Sequence, residues 1–310
     1  MKPQIVFFGT GPVSLNCLEG IYDVFEIEAI ITKPDRIAPS GSAHEHPVKL
    51  WGQTQGIAVH QVADKRALEA LSKRQRFQSQ VGLVVDFGMI IPEPVIEAFP
   101  LGIVNSHFSL LPALRGADPI TFAILEGLNE TGVSLMKIVA AMDEGDLIAQ
   151  LPHRLLPDIT TPELTAELGD VSNLLLREKL PKYIMNDIKP WEQDVNKTKP
   201  TYTRRLTKAD GLIDWTKPAA QLEREVRAFI GWPGSRTRLL SREVTLTAVR
   251  VIDPAELEDT TAAKAKPGTP LQVWPDRLVV ATGEDTLEIL QLKPAGKREM
   301  ATAEFLRGLK

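Results

Sequence analysis

The feature that most constrains the fold is an alternation of short apolar runs with helical patterns over residues 1–185. The runs have the length of buried strands, and the segments between them show helical spacing. Strands that are continuously apolar are typical of parallel sheets, which are covered on both faces. We therefore predict an α/β domain with a parallel sheet, with strands at 5–8, 27–31, 57–59, 81–85, 103–105 and 133–139 and helices at 13–21, 65–72, 92–98, 119–128 and 162–185.

The pattern changes after residue 187. Residues 188–207 are polar, contain several prolines and have no periodicity, which is typical of a linker. Residues 208–310 then contain several short strand-like runs separated by turns, a pattern that favours a small barrel. In this second domain we predict strands at 211–215, 235–240, 243–252, 271–274, 277–282 and 286–292 and helices at 219–229 and 302–309.

One segment carries groups suited to acyl transfer. Asn105 and His107 follow the apolar run 102–104, and residues two apart in a strand lie on the same face. An amide N–H stabilises a developing oxyanion, and an imidazole moves protons near neutral pH. An Asn-x-His pair also occurs as a plain hydrogen-bonded pair, so the pair alone does not identify a reaction.

Asp143 is the third candidate at this site. It follows the predicted strand 133–139, and in open α/β sheets ligands bind at the carboxyl ends of the strands. We therefore expect Asn105, His107 and Asp143 to converge, with the carboxylate orienting the imidazole or shuttling a proton. Taken alone, an acidic residue beside a glycine is more typical of a turn.

Nucleotide and metal chemistry are less favoured. Gly9-Thr10-Gly11 resembles a dinucleotide-binding loop, but Ser14 stands where a third glycine or alanine belongs. Cys17 is the only cysteine, which excludes an intrachain disulfide and a cysteine-cluster metal site. His44 and His46 lack further ligands nearby in the sequence, so we expect no metal.

The formal net charge of −4 is unevenly distributed. Residues 1–195 carry 16 Lys+Arg and 25 Asp+Glu, a net of −9, whereas residues 196–310 carry 20 and 15, a net of +5. A basic C-terminal part is suited to phosphates. No apolar run reaches the roughly 18–20 residues that span a bilayer, and the chain begins with a strand pattern rather than a signal peptide. We expect a cytoplasmic monomer with no membrane partner.

The segment 105–120 resembles the signature of the 10-formyltetrahydrofolate-dependent formyltransferases, and the resemblance covers nearly the whole chain. The C-terminal pieces are similar to the tRNA-acting branch of that family or to its sugar-acting relatives. The pieces that match outside 105–120 include Phe8-Gly9-Thr10, Lys33-Pro34-Asp35-Arg36, Phe87-Gly88-Met89-Ile90-Ile91-Pro92, Met142-Asp143-Glu144-Gly145-Asp146, Ile213-Asp214-Trp215 and Trp232-Pro233.

The resemblance implies a Rossmann-like catalytic domain at 1–187, a linker at 188–207 and an OB-like β-barrel domain at 208–310. It implies transfer of the formyl group of 10-formyltetrahydrofolate, a co-substrate, to the α-amino group of methionine on initiator tRNA, without a metal. Asn105, His107 and Asp143 would be the catalytic residues. The folate site would be lined by Ser109, Leu110, Leu111, Pro112, Phe87, Gly88 and Ile91.

The acceptor depends on residues outside this set. In the tRNA-acting branch the loop corresponding to 37–46 is basic, whereas here it contains no Lys or Arg. Because phosphate neutralisation dominates nucleic-acid affinity, the candidate contacts are other cations, although each is equally typical of a solvated surface: Arg36, Arg204, Arg205, Lys208, Arg236 and Arg238.

Other functions stay open from the residues alone. The same active site would also serve formyl transfer to an amino sugar-nucleotide or hydrolysis of formyltetrahydrofolate. A nicotinamide-dependent oxidoreductase and a non-catalytic nucleic-acid-binding module are less favoured.

Overall fold

The structure, a computed structural model, describes residues 2–37, 43–253, 265–272 and 276–309. The chain divides into two units. The first comprises Met1–Pro119, Glu130–Arg154 and Thr165–Thr203, and the second comprises Ile120–Asn129, Leu155–Leu164 and Arg204–Lys310. Within the described ranges, no helix is both long and apolar enough to cross a bilayer.

Strands and helices alternate through the first two thirds of the chain. The strands are β1 (Gln4–Gly9), β2 (Glu26–Thr32), β3 (Arg36–Ile37), β4 (Ala43–His44), β5 (Ala58–Gln61), β6 (Val81–Val85), β7 (Ile103–His107), β8 (Arg115–Gly116), β9 (Glu130–Lys137), β10 (Leu147–Arg154) and β11 (Tyr202–Thr203). The helices are α1 (Pro12–Ile21), α2 (Pro47–Thr54), α3 (Lys65–Arg74), α4 (Glu93–Ile96), α5 (Pro119–Leu125) and α6 (Thr161–Ile184).

Seven strands form the central sheet of the first unit, in the order β10-β9-β7-β6-β1-β2-β5. β1, β2, β5, β6 and β7 are parallel to one another, as their continuous apolar runs predict. The strand order turns back between β1 and β6, which is the arrangement that opens a ligand crevice at the carboxyl ends. The predicted Rossmann-like sheet is confirmed.

β9 departs from the prediction, because it runs antiparallel to β7, with His107 opposite Ser134. The end of β9 therefore lies at the other edge of the sheet from the carboxyl end of β7. Asp143 therefore does not follow a strand end at the ligand-binding edge, and this part of the prediction is wrong. β10, which we did not predict, pairs antiparallel with β9 at the sheet margin, and Asp143 lies in the connection between them, residues 138–146.

Two small pairings involve shorter strands. β3 pairs antiparallel with β4, and β8 pairs in parallel with β11. Trp191 also makes a bridge to Leu147 at the start of β10. The segment 188–207, which the sequence predicts to be a linker, thus contributes β11 and Trp191 to the first unit up to residue 203.

The core of the first unit lies on both faces of this sheet. Val6 and Phe8 of β1 belong to a buried cluster with Leu68 of α3, and the alternate residues Ile5 and Phe7 are equally buried. Burial on both faces explains why these strands are apolar at successive positions.

Among its described residues, the second unit contains helix α7 (Ala219–Ala228) and a sheet of six strands. The strands are β12 (Ser235–Leu239), β13 (Arg242–Ile252), β14 (Pro270–Gln272), β15 (Leu278–Ala281), β16 (Thr286–Pro294) and β17 (Met300–Ala301), and the chain ends with helix α8 (Thr302–Arg307). All pairings are antiparallel along the path β12-β13-β16-β15-β14, with β17 on β16. This sheet curls into a half-barrel around a core that includes α7 and α8.

The predicted strand at 211–215 is not a strand. A 3-10 helix spans Lys208–Gly211, and Leu212 makes only a single bridge to Arg236. The physical reason is a capping box, in which the side chains of Thr207 and Asp210 each bond the backbone of the other residue. Of the predicted strand 271–274, residues 273 and 274 lie outside the described residues.

Glu288 of β16 is an ionisable group in the wall of the half-barrel and is only 5% exposed. It accepts hydrogen bonds from Nε of Arg277 at 2.7 Å and from Nε of Arg250 at 3.0 Å. Burial alone would raise the pKa of Glu288, but the two guanidinium groups outweigh burial and lower the pKa below its ordinary value of 4.5.

We predict that Glu288→Gln destabilises the second unit at pH 7 by about 1.5–3 kcal/mol, the range for hydrogen bonds to charged groups. Because folding lowers the pKa, the charge of Glu288 stabilises the protein above the unfolded value, and this contribution is lost as the pH falls through the folded value. Urea unfolding of the two proteins between pH 7 and pH 3 should therefore show a difference that shrinks in acid. Glu284→Gln, at an exposed position, is the control, and a pH-independent difference would contradict the prediction.

Candidate active site

Asn105 and His107 lie on the same face of β7. Between them, Ser106 faces the other side of the strand, where its Oγ lies 2.8 Å from the Oγ of Ser172 on α6. The period-2 alternation predicted from the sequence therefore brings the amide and the imidazole together. The His107 side chain is 6% exposed, whereas Asn105 is half-buried.

The imidazole of His107 is oriented by two contacts. Its Nε2 lies 2.9 Å from the carbonyl oxygen of Leu114, and since a carbonyl only accepts hydrogen bonds, Nε2 carries a proton. Its Nδ1 faces Oδ2 of Asp143 at 3.9 Å. In the neutral ring the free lone pair is therefore on Nδ1, which lies next to a carboxylate.

The carbonyl of Leu114 is itself held in place from the segment 188–207. Leu114 has a φ of 56°, in the left-handed region that non-glycine residues seldom adopt. Its N–H donates to Oγ1 of Thr201 at 2.8 Å, and the N–H of Arg115 donates to the carbonyl of Thr201 at 2.9 Å. The orientation of His107 thus depends on a residue that the sequence pattern placed in a linker.

Asp143 reaches His107 from the connection 138–146. Its φ is 53°, and its Oδ2 accepts a hydrogen bond of 2.7 Å from the backbone N–H of Gly116. Gly116 has a φ of 106°, and a Cβ at this position would stand 2.4 Å from the carbonyl oxygen of Thr203. Only glycine fits beside this carboxylate.

The side-chain amide of Asn105 has no hydrogen-bond partner among the residues that the structure describes. A half-buried amide beside a buried imidazole is free to donate to an oxygen atom of a bound molecule. An amide donor, an imidazole and a carboxylate together are suited to proton transfer and to stabilising an oxyanion.

A tight turn follows β7 and contains four of the predicted folate-site residues: Ser109, Leu110, Leu111 and Pro112. Oγ of Ser134 donates to the carbonyl of Ser109 at 2.6 Å and accepts from the N–H of Leu111 at 3.1 Å. The Leu111–Pro112 peptide bond is cis. Leu110 is half-buried, and the other three are buried. The turn is therefore fixed by hydrogen bonds to Ser134 of β9 and offers Leu110 and backbone groups to a ligand.

The other three predicted folate-site residues follow β6, the strand next to β7. Phe87 and Ile91 are buried in the core cluster, where the Phe87 ring packs edge-on against Phe8 at 5.7 Å. Gly88 has a φ of 64°, and its carbonyl accepts a hydrogen bond from Lys33. The side chain that this segment exposes is Ile90, at 61%.

Sequence reasoning missed a polar network beside Asp143. Arg115 is only 4% exposed, and its Nη1 lies 2.9 Å from Oε1 of Glu144 and 3.1 Å from the hydroxyl of Tyr202. Its Nε and Nη2 donate to Oε1 of Gln193 at 3.2 Å and 2.7 Å. Arg115 lies in the segment 105–120, so the resemblance could have identified it. Gln193 and Tyr202 lie in the aperiodic segment 188–207, where no sequence pattern marks them.

The cations predicted to contact tRNA differ in whether their side chains already have partners within the protein. Nη1 of Arg204 lies 3.0 Å from Oδ2 of Asp210, and this guanidinium, with hydrogen bonds from Thr207, holds the pKa of Asp210 well below its ordinary value. Arg236 donates to the carbonyl of Lys208. The side chain of Arg36 lies outside the described residues. The predicted cations that are exposed, with no side-chain partner in the described ranges, are Arg205, Lys208 and Arg238.

In the part of the chain that the structure describes, no three His, Cys, Asp or Glu side chains are grouped as metal ligands. His46 is half-buried, with Nε2 3.0 Å from the carbonyl oxygen of Pro34, and the side chain of His44 lies outside the described residues. Cys17 is buried, and burial raises the pKa of its thiol to about 11, so it is an apolar core residue.

Known proteins match this chain along its whole length. The formyl transferase family model matches residues 5–180, and the model of the formyl transferase C-terminal domain matches residues 205–310. The methionyl-tRNA formyltransferase of Roseiflexus sp. (strain RS-1) is 37% identical over 313 residues, covering 100% of this chain and 94% of that protein. The methionyl-tRNA formyltransferase of Myxococcus xanthus (strain DK1622) is 34% identical over 312 residues, covering 100% and 96%.

A solved structure gives the same fold. The N-formyltransferase from Helicobacter canadensis, in complex with folinic acid and dTDP-3-aminofucose, aligns with a TM-score of 0.66 at 17% identity, covering 97% of this chain and 100% of that chain. With two family models covering most of its length and relatives above 30% identity over all of it, the chain belongs to the formyl transferase family.

Proposed function

We propose that this protein transfers the formyl group of 10-formyltetrahydrofolate to the α-amino group of methionyl initiator tRNA, giving formylmethionyl-tRNA for translation initiation. One observation carries the proposal: the imidazole of His107 is bonded at Nε2 to a carbonyl and faces a carboxylate at Nδ1, beside the free amide of Asn105. The methionyl-tRNA formyltransferases of Roseiflexus and Myxococcus support the choice of acceptor.

The reaction forms a C–N bond between the amine and the formyl carbon and breaks the bond from that carbon to the folate nitrogen. Asn105 donates a hydrogen bond to the formyl oxygen as it gains negative charge. Nδ1 of His107 accepts the proton that the amine loses and delivers it to the departing folate nitrogen. Asp143 stabilises the positive charge that the imidazole carries between these two transfers.

The residues that follow β6 and β7 fit a folate. These strands are adjacent and parallel, so the turn 109–112 and the segment 87–91 lie at the same edge of the sheet. Small-molecule sites combine apolar side chains with a few polar groups, and these segments offer Ile90, Leu110 and the backbone of Gly88. We propose that Phe87 and Ile91 shape this site from the core, and that Ile90 rather than either of them touches the ligand.

We propose that the basic residues of the second unit bind the phosphates of tRNA. Phosphate contacts supply most of the affinity of non-specific nucleic-acid binding, and they need exposed cations. Arg205, Lys208 and Arg238 meet this condition, whereas Arg204 is paired with Asp210.

The proposal is tested by supplying the enzyme with 10-formyltetrahydrofolate and one acceptor at a time: charged initiator tRNA, an amino sugar-nucleotide, or buffer alone. We expect labelled formyl to appear only on the methionine of the tRNA. Transfer to the sugar, or release of formate without an acceptor, would replace the proposed acceptor by the corresponding alternative.

We predict that His107→Ala lowers kcat about 10²–10⁴-fold, because the proton carrier is lost, and that Asn105→Ala lowers it about 10²–10³-fold, because an oxyanion donor is lost. Single-turnover formylation measures both rates, and thermal unfolding checks that the fold is intact. His153→Ala removes an imidazole that pairs with Glu167 instead, and it should keep the wild-type rate. Wild-type rates in the first two variants would refute the assigned roles.

We also predict that Arg205→Ala, Lys208→Ala and Arg238→Ala weaken tRNA binding. Each lost phosphate contact should reduce the slope of log affinity against log salt by about 1. Filter binding of tRNA at several salt concentrations measures this slope. Arg66→Ala, at an exposed position of α3 in the first unit, is the matched control, and three slopes equal to its slope would contradict the assignment.

A further inference from the structure

We propose that Gln193 is a positioning residue that holds the loop carrying Asp143 in the conformation that formyl transfer requires. The inference rests on the proposed function, because it takes the role of Asp143 from there. It adds a residue of the segment 188–207, for which the sequence offered no role, to the groups on which the reaction depends.

The carboxamide of Gln193 uses its full hydrogen-bonding capacity. Its Nε2 donates to the carbonyl oxygen of Asp143 at 2.8 Å and to that of Gly145 at 2.9 Å. Its Oε1 accepts from Nε and Nη2 of Arg115 at 3.2 Å and 2.7 Å. Carbonyls only accept and a guanidinium only donates, so the orientation of this amide is fixed by its partners.

The loop has a conformation that needs such support. Asp143 has a left-handed φ of 53°, a conformation that non-glycine residues seldom adopt. At Gly145 a Cβ would stand 1.8 Å from the carbonyl oxygen of Lys137, so the chain passes very close to the end of β9. Gln193 bonds the carbonyls on both sides of Glu144 and thereby fixes the backbone on which the Asp143 carboxylate stands.

The same network ties the loop to the strand that holds the carboxylate. Oδ2 of Asp143 accepts a hydrogen bond from the N–H of Gly116. Gln193 connects the backbone of Asp143 to the side chain of Arg115, which precedes Gly116 in the chain. Asp143 is therefore held through both its backbone and its side chain. Its distance to His107 depends on both attachments, because neither alone fixes the direction of the side chain.

A different explanation is that Gln193 only satisfies the buried guanidinium of Arg115. Gln193→Glu separates the two explanations. A carboxylate keeps an acceptor for Arg115 but has no N–H, and it faces the carbonyl oxygens of Asp143 and Gly145. If Gln193 serves the loop, Gln193→Glu is as damaging as Gln193→Ala; if it serves only Arg115, Gln193→Glu is harmless.

The experiment measures single-turnover and steady-state formylation of methionyl-tRNA by Gln193→Ala and Gln193→Glu. A displacement of about 1 Å in a reacting group lowers rates by about 100-fold, so we expect kcat to fall about 10–100-fold in both variants. KM for both substrates and the midpoint of thermal unfolding should stay near the wild-type values. Glu192→Ala, which removes the exposed neighbouring side chain, is the control and should not change kcat.

A double-mutant cycle with Asp143→Asn distinguishes action through the Asp143 carboxylate from a merely structural role. If Gln193 acts through the Asp143 carboxylate, Gln193→Ala has little further effect in the Asp143→Asn background. Full additivity of the two substitutions, or wild-type kcat in either Gln193 variant while Asp143→Asn is impaired, would overturn the inference. Wild-type kcat in Asp143→Asn itself would instead refute the catalytic role assigned to Asp143 under the proposed function.

Discussion

The geometry of the site depends on one hydrogen bond, from Nε2 of His107 to the carbonyl of Leu114 at 2.9 Å. This bond decides which imidazole nitrogen carries the resident proton and leaves the lone pair of the neutral ring on Nδ1. Without it the imidazole would be free to turn, and Nδ1 would no longer face Asp143. The carbonyl points toward His107 only while Leu114 keeps its left-handed φ. The hydrogen bond from the N–H of Leu114 to Thr201 therefore also helps to orient the imidazole.

Residues 114–116 serve three functions at successive positions. The carbonyl of Leu114 fixes His107, the guanidinium of Arg115 bonds Gln193, and the N–H of Gly116 bonds the carboxylate of Asp143. β8 is only two residues long, yet its pairing with β11 holds this segment in register. Both members of the His107–Asp143 pair are therefore positioned by the same short segment of backbone, which keeps their separation constant.

The sequence predicts the parallel strands and the shared face of Asn105 and His107, because both follow from local periodicity. It identifies Asp143 for a wrong reason, since an antiparallel neighbour of β7 has the same apolar pattern as a parallel one and only long-range pairing distinguishes them. β10 escaped prediction because Pro152 interrupts its pattern, and an edge strand tolerates proline. The role of Gln193 was unpredictable, because its four hydrogen bonds reach residues at least 48 positions away in the chain.

The acceptor is not determined by the groups that we propose to be catalytic. An oxyanion donor and a proton carrier serve any amine, and water as well, so selection must come from residues that bind the remainder of the acceptor. The 20 Lys and Arg residues over 196–310 overstate the number of cations available for that purpose, since Arg204 is paired with Asp210, and Arg250 and Arg277 with Glu288. A salt bridge carries no net charge and adds little to the long-range field that attracts a polyanion, so close phosphate contacts need cations without an acidic partner. Under the proposed function, discrimination between tRNA and a smaller acceptor would rest on the exposed cations Arg205, Lys208 and Arg238.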